Sequence, residues 1–124
     1  MYKRTVDLGG VPVEISLEHA DYLSSYEDFL TENPPLATAA VPAEKIAAAR
    51  KFYDYGASDA YIEETEISAA AGTALLPFGR AVFHCAAFVW RQKAWLFAAP
   101  SGTGKTTQYR LWKMFFGNEG QMLN

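Results

Sequence analysis

Apolar and polar positions alternate near the start of the chain. Over Val11–Leu17 every second residue is apolar, the pattern of a strand with one buried and one solvent-facing side. Gly9-Gly10 is typical of a tight turn, so Arg4–Leu8 is expected to pair with this strand as a β-hairpin. Pro12 has no N–H to donate, which predicts that the second strand lies at a sheet edge or turns its N–H side outward.

The next segment has its apolar residues at helical spacing. Between Glu18 and Leu30 they recur at i, i+4 and i+7, which predicts one helix that packs on the core. Asn33-Pro34-Pro35 ends it. Leu36–Val41 fits a strand or an extended loop equally well. The helical stripe consists of Tyr22, Leu23, Tyr26, Phe29 and Leu30.

Two further helices are expected. Pro42 suits the first position of a helix over Ala43–Tyr55, which Gly56 closes. Ser58 can cap the next helix, from Asp59 to about Leu76.

Acidic residues gather near the start of that second helix. Glu63, Glu64 and Glu66 could form a metal cluster or an acid–base pair, but no histidine accompanies them. We therefore interpret them as a solvated helix face. His19, at the expected start of a surface helix, is interpreted as structural.

Two apolar runs, Ala81–Trp90 and Ala94–Ala99, flank Arg91-Gln92-Lys93 and are expected to pair as antiparallel strands. This pairing places His84 at the sheet end from which the next loop leaves. His84 then either orients a base or a water near a bound phosphate, or is an imidazole satisfied within the sheet. Cys85, inside the apolar run, is most simply a small buried hydrophobe.

A phosphate-binding loop is expected between the second strand and a helix over Thr106–Phe116. Gly102 and Gly104 permit positive φ and a close approach of the backbone to phosphate oxygens, and a helix N-terminus attracts anions. Lys105 can place an ammonium group between phosphates, and the Thr106 hydroxyl can ligate Mg²⁺. The full pattern has a glycine where this chain has Ala99.

The order of these parts resembles the HPr kinase/phosphorylase family and its phosphoenolpyruvate-carboxykinase-like relatives. The resemblance covers about the last third of the chain, from the histidine-led strand to the loop. It implies ATP, Mg²⁺ and a phosphotransfer fold. It also implies acidic residues beyond the loop helix, for which this chain has no counterpart, and so a truncated, catalytically incomplete member. The implied nucleotide-binding residues are Ser101, Gly102, Thr103, Gly104, Lys105, Thr106 and Thr107, with Thr106 on Mg²⁺ and His84 as catalytic candidate.

Composition and charge restrict the compartment and the partners that the sequence predicts. Half of the 124 residues are hydrophobic, yet no apolar run reaches the ~18 residues of a membrane span. The sequence has a single cysteine and no recognisable signal peptide, which predicts a cytoplasmic protein. The net charge of −3 argues against a nucleic-acid partner. Residues 1–66 carry a net −8 and residues 67–124 a net +5, which would attract a polyanion to the loop half.

The sequence therefore predicts an α+β fold with an N-terminal region of unknown role over residues 1–80 and a strand–strand–loop–helix unit over residues 81–124. Its expected function is ATP and Mg²⁺ binding within a phosphotransfer protein that acts on an unknown protein or small-molecule acceptor. The alternative is a binding or scaffold module whose loop does not use nucleotide. An uncovered sheet edge also predicts self-association.

Overall fold

The structure, a computed structural model, describes residues 1–53, 56–100 and 102–123. The fold is mixed α+β, as expected. It divides into two compact units, Met1–Ala81 and Val82–Asn124. Among the helices described, none is both long and apolar enough to cross a membrane.

The first unit is a three-stranded sheet with helices on it. Its strand order is β1-β2-β3, with β1 and β2 antiparallel and β2 and β3 parallel. In chain order the elements are β1 (Tyr2–Asp7), β2 (Pro12–Leu17), a 3₁₀ helix (Leu23–Phe29), β3 (Ala37–Ala40), α1 (Ala43–Ala49), a 3₁₀ turn (Arg50–Phe52), α2 (Asp59–Leu75) and a 3₁₀ turn (Leu76–Phe78).

The hairpin prediction is confirmed, but the edge position of its second strand is wrong. β2 is the central strand. Pro12 is its first residue, and β3 begins to pair only at Val13, so the missing N–H removes no bond to β3. The proline carbonyl still accepts the Leu36 N–H at 2.8 Å. Ser16 is buried too, so a polar residue of the expected solvent-facing side is covered.

The helix expected over Glu18–Leu30 is wrong. Only a 3₁₀ helix over Leu23–Phe29 forms, and none of its residues is buried. Leu30 instead bridges to Val6, and the Thr31 N–H donates to the Thr5 carbonyl at 3.0 Å. Backbone pairing along the outer edge of β1 therefore ends the helical turn.

The later elements follow the sequence more closely. Leu36–Val41, which fitted strand or loop, contains β3. α1 stops at Ala49 and continues as a 3₁₀ turn to Phe52, so the helix is shorter than expected; the rest of its expected range, residues 54 and 55, lies outside the described residues. Ser58 caps α2 as expected, its hydroxyl accepting the Tyr61 N–H at 3.1 Å.

The core of the first unit lies between its sheet and its helices. The side chains that meet in this core are aliphatic, as expected from strands rich in β-branched residues and helices rich in alanine. The sheet contributes Val6, Val13, Ile15, Leu17 and Ala39, α1 contributes Ile46 and Ala49, and α2 contributes Ile62, Ile67, Ala71 and Leu75.

The second unit is an antiparallel sheet in the order β5-β4-β6. The strand pair is confirmed, with Phe88 opposite Trp95, but β4 begins at Ala86, five residues later than expected. Cys85 precedes the strand and is half-buried. β6 was not foreseen. The elements are β4 (Ala86–Trp90), β5 (Lys93–Phe97), α3 (Lys105–Phe116), a 3₁₀ turn (Gly117–Glu119) and β6 (Gly120–Leu123).

α3 packs on one face of this sheet through aromatic rings. Phe88 is fully buried, and its ring meets those of Tyr109, Trp112 and Phe116 at centroid distances of 5.9, 5.7 and 6.4 Å. Gly120 lies under the same ring, where any Cβ would overlap it. The centre of the unit therefore requires a glycine in β6.

Candidate functional site

The loop between β5 and α3, residues 98–104, is called the glycine loop here. Gly102 and Gly104 have φ of 80° and 90°, values that residues with a Cβ rarely adopt. Gly104 is the residue immediately before α3. The turn thus delivers Lys105 to the first position of the helix. Ser101 lies outside the described residues.

The Lys105 ammonium folds back over the glycine loop. Its Nζ donates to the carbonyl oxygens of Ala99 at 2.7 Å and Pro100 at 3.0 Å. The side chain is half-buried. An ammonium group has three N–H donors, so one remains after these two bonds.

The loop amides divide into two groups. The Thr103 N–H and hydroxyl both donate to the Pro100 carbonyl, at 3.4 and 2.7 Å. Within the described residues, the N–H groups of Thr106 and Thr107 have no acceptor, because the bonds of the helix begin with the one from the Gln108 N–H to the Gly104 carbonyl at 2.8 Å. The N–H groups of the first helical turn are therefore available to bind an anion, whereas the Thr103 N–H already donates to a loop carbonyl.

An open cleft of about 400 Å³ adjoins the loop. Its size falls within the range of small-ligand pockets. Thr106 and Thr107 are exposed but lie outside its lining. The lining residues are Leu96, Phe97, Ala98, Ala99, Thr103, Gly104, Lys105 and Gln108.

His84 is exposed and precedes β4. Because Ala86 pairs with Phe97, His84 and the glycine loop leave the sheet at the same end, as expected. His84 does not, however, line the cleft. The structure thus brings Thr103, Gly104 and Lys105 together at one cleft and leaves the histidine beside it.

No acidic side chain of residues 82–124 lies at this end of the sheet. Glu119 is the one acidic residue in 82–124, and it accepts from the Trp90 Nε1 at 3.4 Å, where β4 ends. That position is the opposite end of the strand from the glycine loop. Across the described residues, no three His, Cys, Asp or Glu side chains are grouped so as to hold a metal ion.

The net charge of the second unit is positive. Residues 82–124 contain five basic residues and one acidic residue, a net +4. Arg91 and Lys93 lie at the β4–β5 turn, at the end of the sheet away from the glycine loop, so only part of this charge adjoins the cleft. A positive net charge attracts polyanions, and the effect weakens with salt.

The first unit holds a second polar cluster, which corrects the interpretation of its glutamates. Glu63 is 1% exposed, not solvated. Its carboxylate accepts the N–H of Glu18 at 2.7 Å, the N–H of His19 at 3.0 Å and the His19 Nδ1–H at 2.8 Å. The helical spacing contained the signal, because Glu63 lies in the buried stripe of α2 with Ala60, Ile67 and Ala71.

Glu64 and Glu66 are half-buried and paired. Glu64 accepts the Tyr26 hydroxyl at 2.7 Å, and Glu66 lies 3.3 Å from the Lys45 Nζ. The three glutamates thus tie the end of β2, the 3₁₀ helix at Leu23–Phe29 and α1 to α2. We assign them a structural role.

A cavity of about 290 Å³ lies beside this cluster, lined in part by His19, Arg50 and Asp59. Arg50 pairs with Asp59 and also donates to the Ala57 carbonyl at 2.9 Å. The Arg50 guanidinium holds the pKa of Asp59 below its usual value. The charged groups on the cavity wall are therefore largely matched to one another. His19 is the second residue after β2 and is not part of a helix, but its bond to Glu63 fits a structural residue.

Comparison of the chain with protein-family models, with curated proteins and with solved structures finds no match.

Proposed function

We propose that residues 82–124 bind the phosphates of a nucleotide such as ATP together with Mg²⁺, as the nucleotide-binding part of a cytoplasmic, HPr-kinase-like phosphotransfer protein. The observation that carries the proposal is the position of Lys105. It opens α3 directly after two positive-φ glycines and lines an open cleft. A glycine turn, a helix N-terminus and a lysine together supply what phosphate recognition requires.

Each residue has a defined task in this site. The Lys105 ammonium exchanges its bonds to the Ala99 and Pro100 carbonyls for bonds to phosphate oxygens. An anion held by Lys105 would also bond to the N–H groups of Thr106 and Thr107, which have no acceptor among the described residues, and the helix dipole adds partial positive charge. The exposed Thr106 hydroxyl would ligate Mg²⁺.

The proposed role is binding rather than complete catalysis. Phosphoryl transfer depends on positioned cations and on a group that orients the nucleophile. Glu119, the one carboxylate in residues 82–124, lies at the far end of β4. A general base and further metal ligands must therefore come from groups outside this unit, and the acceptor is a separate protein or small molecule.

Calorimetric titration with ATP·Mg²⁺ tests the proposal. We expect the wild-type chain to bind and Lys105→Ala to bind at least tenfold more weakly, a loss of about 1.4 kcal/mol. Lys113→Ala is the matched control, because it removes an exposed lysine from the same helix. Absence of wild-type binding, or an equal loss in both variants, contradicts the proposal.

The magnesium ligand has its own test. Thr106→Ala removes the hydroxyl, whereas Thr106→Ser keeps it. We expect Mg²⁺ to strengthen ATP binding to the wild type and Thr106→Ser but not to Thr106→Ala. An equal Mg²⁺ effect in all three proteins would remove Thr106 from the metal site.

A second candidate function is a binding or scaffold module that does not use nucleotide. Two observations favour it. The Thr103 N–H donates to the Pro100 carbonyl, and two of the three N–H donors of the Lys105 ammonium already bond to carbonyls of the loop. This candidate predicts no ATP binding under the conditions above.

A further inference from the structure

The outer edge of β5 has no partner strand. β5 pairs with β4 on one side only, and the other edge belongs to no sheet in the described chain. Trp95 and Leu96, on opposite faces of this strand, are 41% and 56% exposed. Among the devices that protect such edges, β5 has only Lys93, since the strand lacks proline. An edge of this kind is a template for another strand.

One flank of α3 extends this apolar surface. The Trp112 ring meets those of Trp95 and Phe97 at 5.6 and 5.1 Å, so α3 lies over β5. Gln108, which lines the cleft with Phe97, marks the β5 side of the helix. Leu111 and Phe115, three and seven residues later, lie on the same flank. They are 54% and 85% exposed. The edge of β5 and the stripe of Leu111 and Phe115 therefore form one surface, which we call the β5–α3 surface.

We propose that the β5–α3 surface binds a second copy of this chain, with β5 pairing antiparallel to β5 of the partner copy about a two-fold axis at Trp95. In this register all five residues of β5 are paired. Trp95 lies opposite itself, and Lys93 lies opposite Phe97, so no lysine faces a lysine. The axis is perpendicular to the sheet, which brings the two α3 flanks onto the same face and toward each other.

Charge and area both favour this occupant. Arg110 and Lys113 point away from the Leu111–Phe115 flank by the helical period, so these two basic residues of α3 stay outside the interface. Trp95, Leu111 and Phe115 on the α3 side, with Leu96 on the other face of the strand edge, together offer on the order of 500 Å² of apolar surface, given roughly 150–250 Å² for a fully exposed large side chain. With backbone and flanking contacts this approaches the roughly 800 Å² per partner of a specific interface.

Analytical ultracentrifugation of the full chain from 1 to about 200 μM tests the proposal, a range set by the roughly micromolar affinity of small interfaces. We expect a monomer–dimer equilibrium. Phe115→Lys and Leu111→Lys should each raise the dimer dissociation constant at least tenfold. Met114→Lys is the matched control: Met114 is 82% exposed, as open as Phe115, but lies on the outward side of α3. It should leave the constant unchanged.

Hydrogen exchange supplies a second measurement that does not depend on variants. The amides of β5 that point to its open edge should gain protection as the concentration rises into the dimer range, because an edge pairing covers their N–H groups; the alternate amides already bond to β4. A monomer at every concentration overturns the proposal. So does a dimer that Met114→Lys weakens as much as Phe115→Lys, or one in which the protection of β5 does not change; these outcomes would assign the surface to a different protein or to non-specific association.

Discussion

At the scale of single residues, Glu63 illustrates how a charge becomes part of a core. Its side chain occupies a position that the helical period reserves for an apolar residue. Burial of a carboxylate is unfavourable unless its oxygens are satisfied. Here two backbone N–H groups and one imidazole donate hydrogen bonds to the carboxylate, and all three belong to the two residues that follow β2. The carboxylate thus fixes the exit of β2 against α2.

We predict that Glu63→Ala lowers the free energy of unfolding by about 2–4 kcal/mol, because it leaves the Glu18 and His19 N–H groups without their acceptor and opens a cavity. Urea unfolding followed by circular dichroism measures the change. Glu44→Ala, at an exposed position in the first turn of α1, is the control and should change the free energy by less than about 0.5 kcal/mol. Equal effects of the two substitutions would show that Glu63 is not a buried anchor.

At the scale of elements, the 3₁₀ helix at Leu23–Phe29 depends on α2 for its position. None of its residues is fully buried, and only Leu23 and Tyr26 pack against the core cluster, so apolar packing holds it only in part. The bond from the Tyr26 hydroxyl to Glu64 compensates in part. Burial and the neighbouring Glu64 carboxylate raise the pKa of the Tyr26 hydroxyl, because both disfavour the phenolate.

This shift predicts an alkaline loss of stability. The pKa of Tyr26 is raised in the folded state, so its stabilising effect is complete below the unfolded value of about 10 and decreases as the pH rises above it. Urea unfolding between pH 8 and 11 measures the dependence. We expect Tyr26→Phe to be less stable than the wild type by about 1 kcal/mol at pH 8, with the difference shrinking toward pH 11. Tyr2→Phe, at an exposed position in β1, is the control. A constant difference across this range would contradict the assignment.

At the scale of the whole molecule, the sequence predicted the elements with local signals and missed those set by distant pairing. Gly9-Gly10 and Ser58 encode the hairpin turn and the start of α2 within a few residues, and both predictions are confirmed. The 3₁₀ helix at Leu23–Phe29 replaced a full helix because Leu30 pairs with Val6, a contact that no local pattern contains. The same holds for Pro12, whose strand is central only because β3 returns beside it.

The candidate site was predictable to a similar depth. The glycines and Lys105 follow from the motif, and their cleft follows from strand and helix order. The bonds of Thr103 and Lys105 to Pro100 could not be foreseen, because they depend on how a loop that begins with Ala99-Pro100 closes on itself. The burial of Glu63 could have been inferred from its place in the α2 stripe, but its charge directed the interpretation toward solvent.

The distribution of buried residues leads to the last prediction. The aliphatic core cluster lies entirely between Val6 and Leu75, within the first unit. Among the described residues of the second unit, Phe88 is the large side chain that is fully buried, and several aromatic side chains near it are exposed to solvent. Domains of this size can fold alone when they contain their own core, although with little stability to spare.

We therefore predict that a fragment of residues 1–81 folds without the rest of the chain. It should unfold cooperatively in urea and give a dispersed amide NMR spectrum, because every hydrogen bond to Glu63 and every member of the core cluster is retained. The same fragment with Glu63→Ala is the control and should lose about 2–4 kcal/mol, as in the full chain, or fail to fold. A wild-type fragment without dispersion or cooperativity would show that residues 82–124 stabilise the first unit, and that the two units are one folding domain.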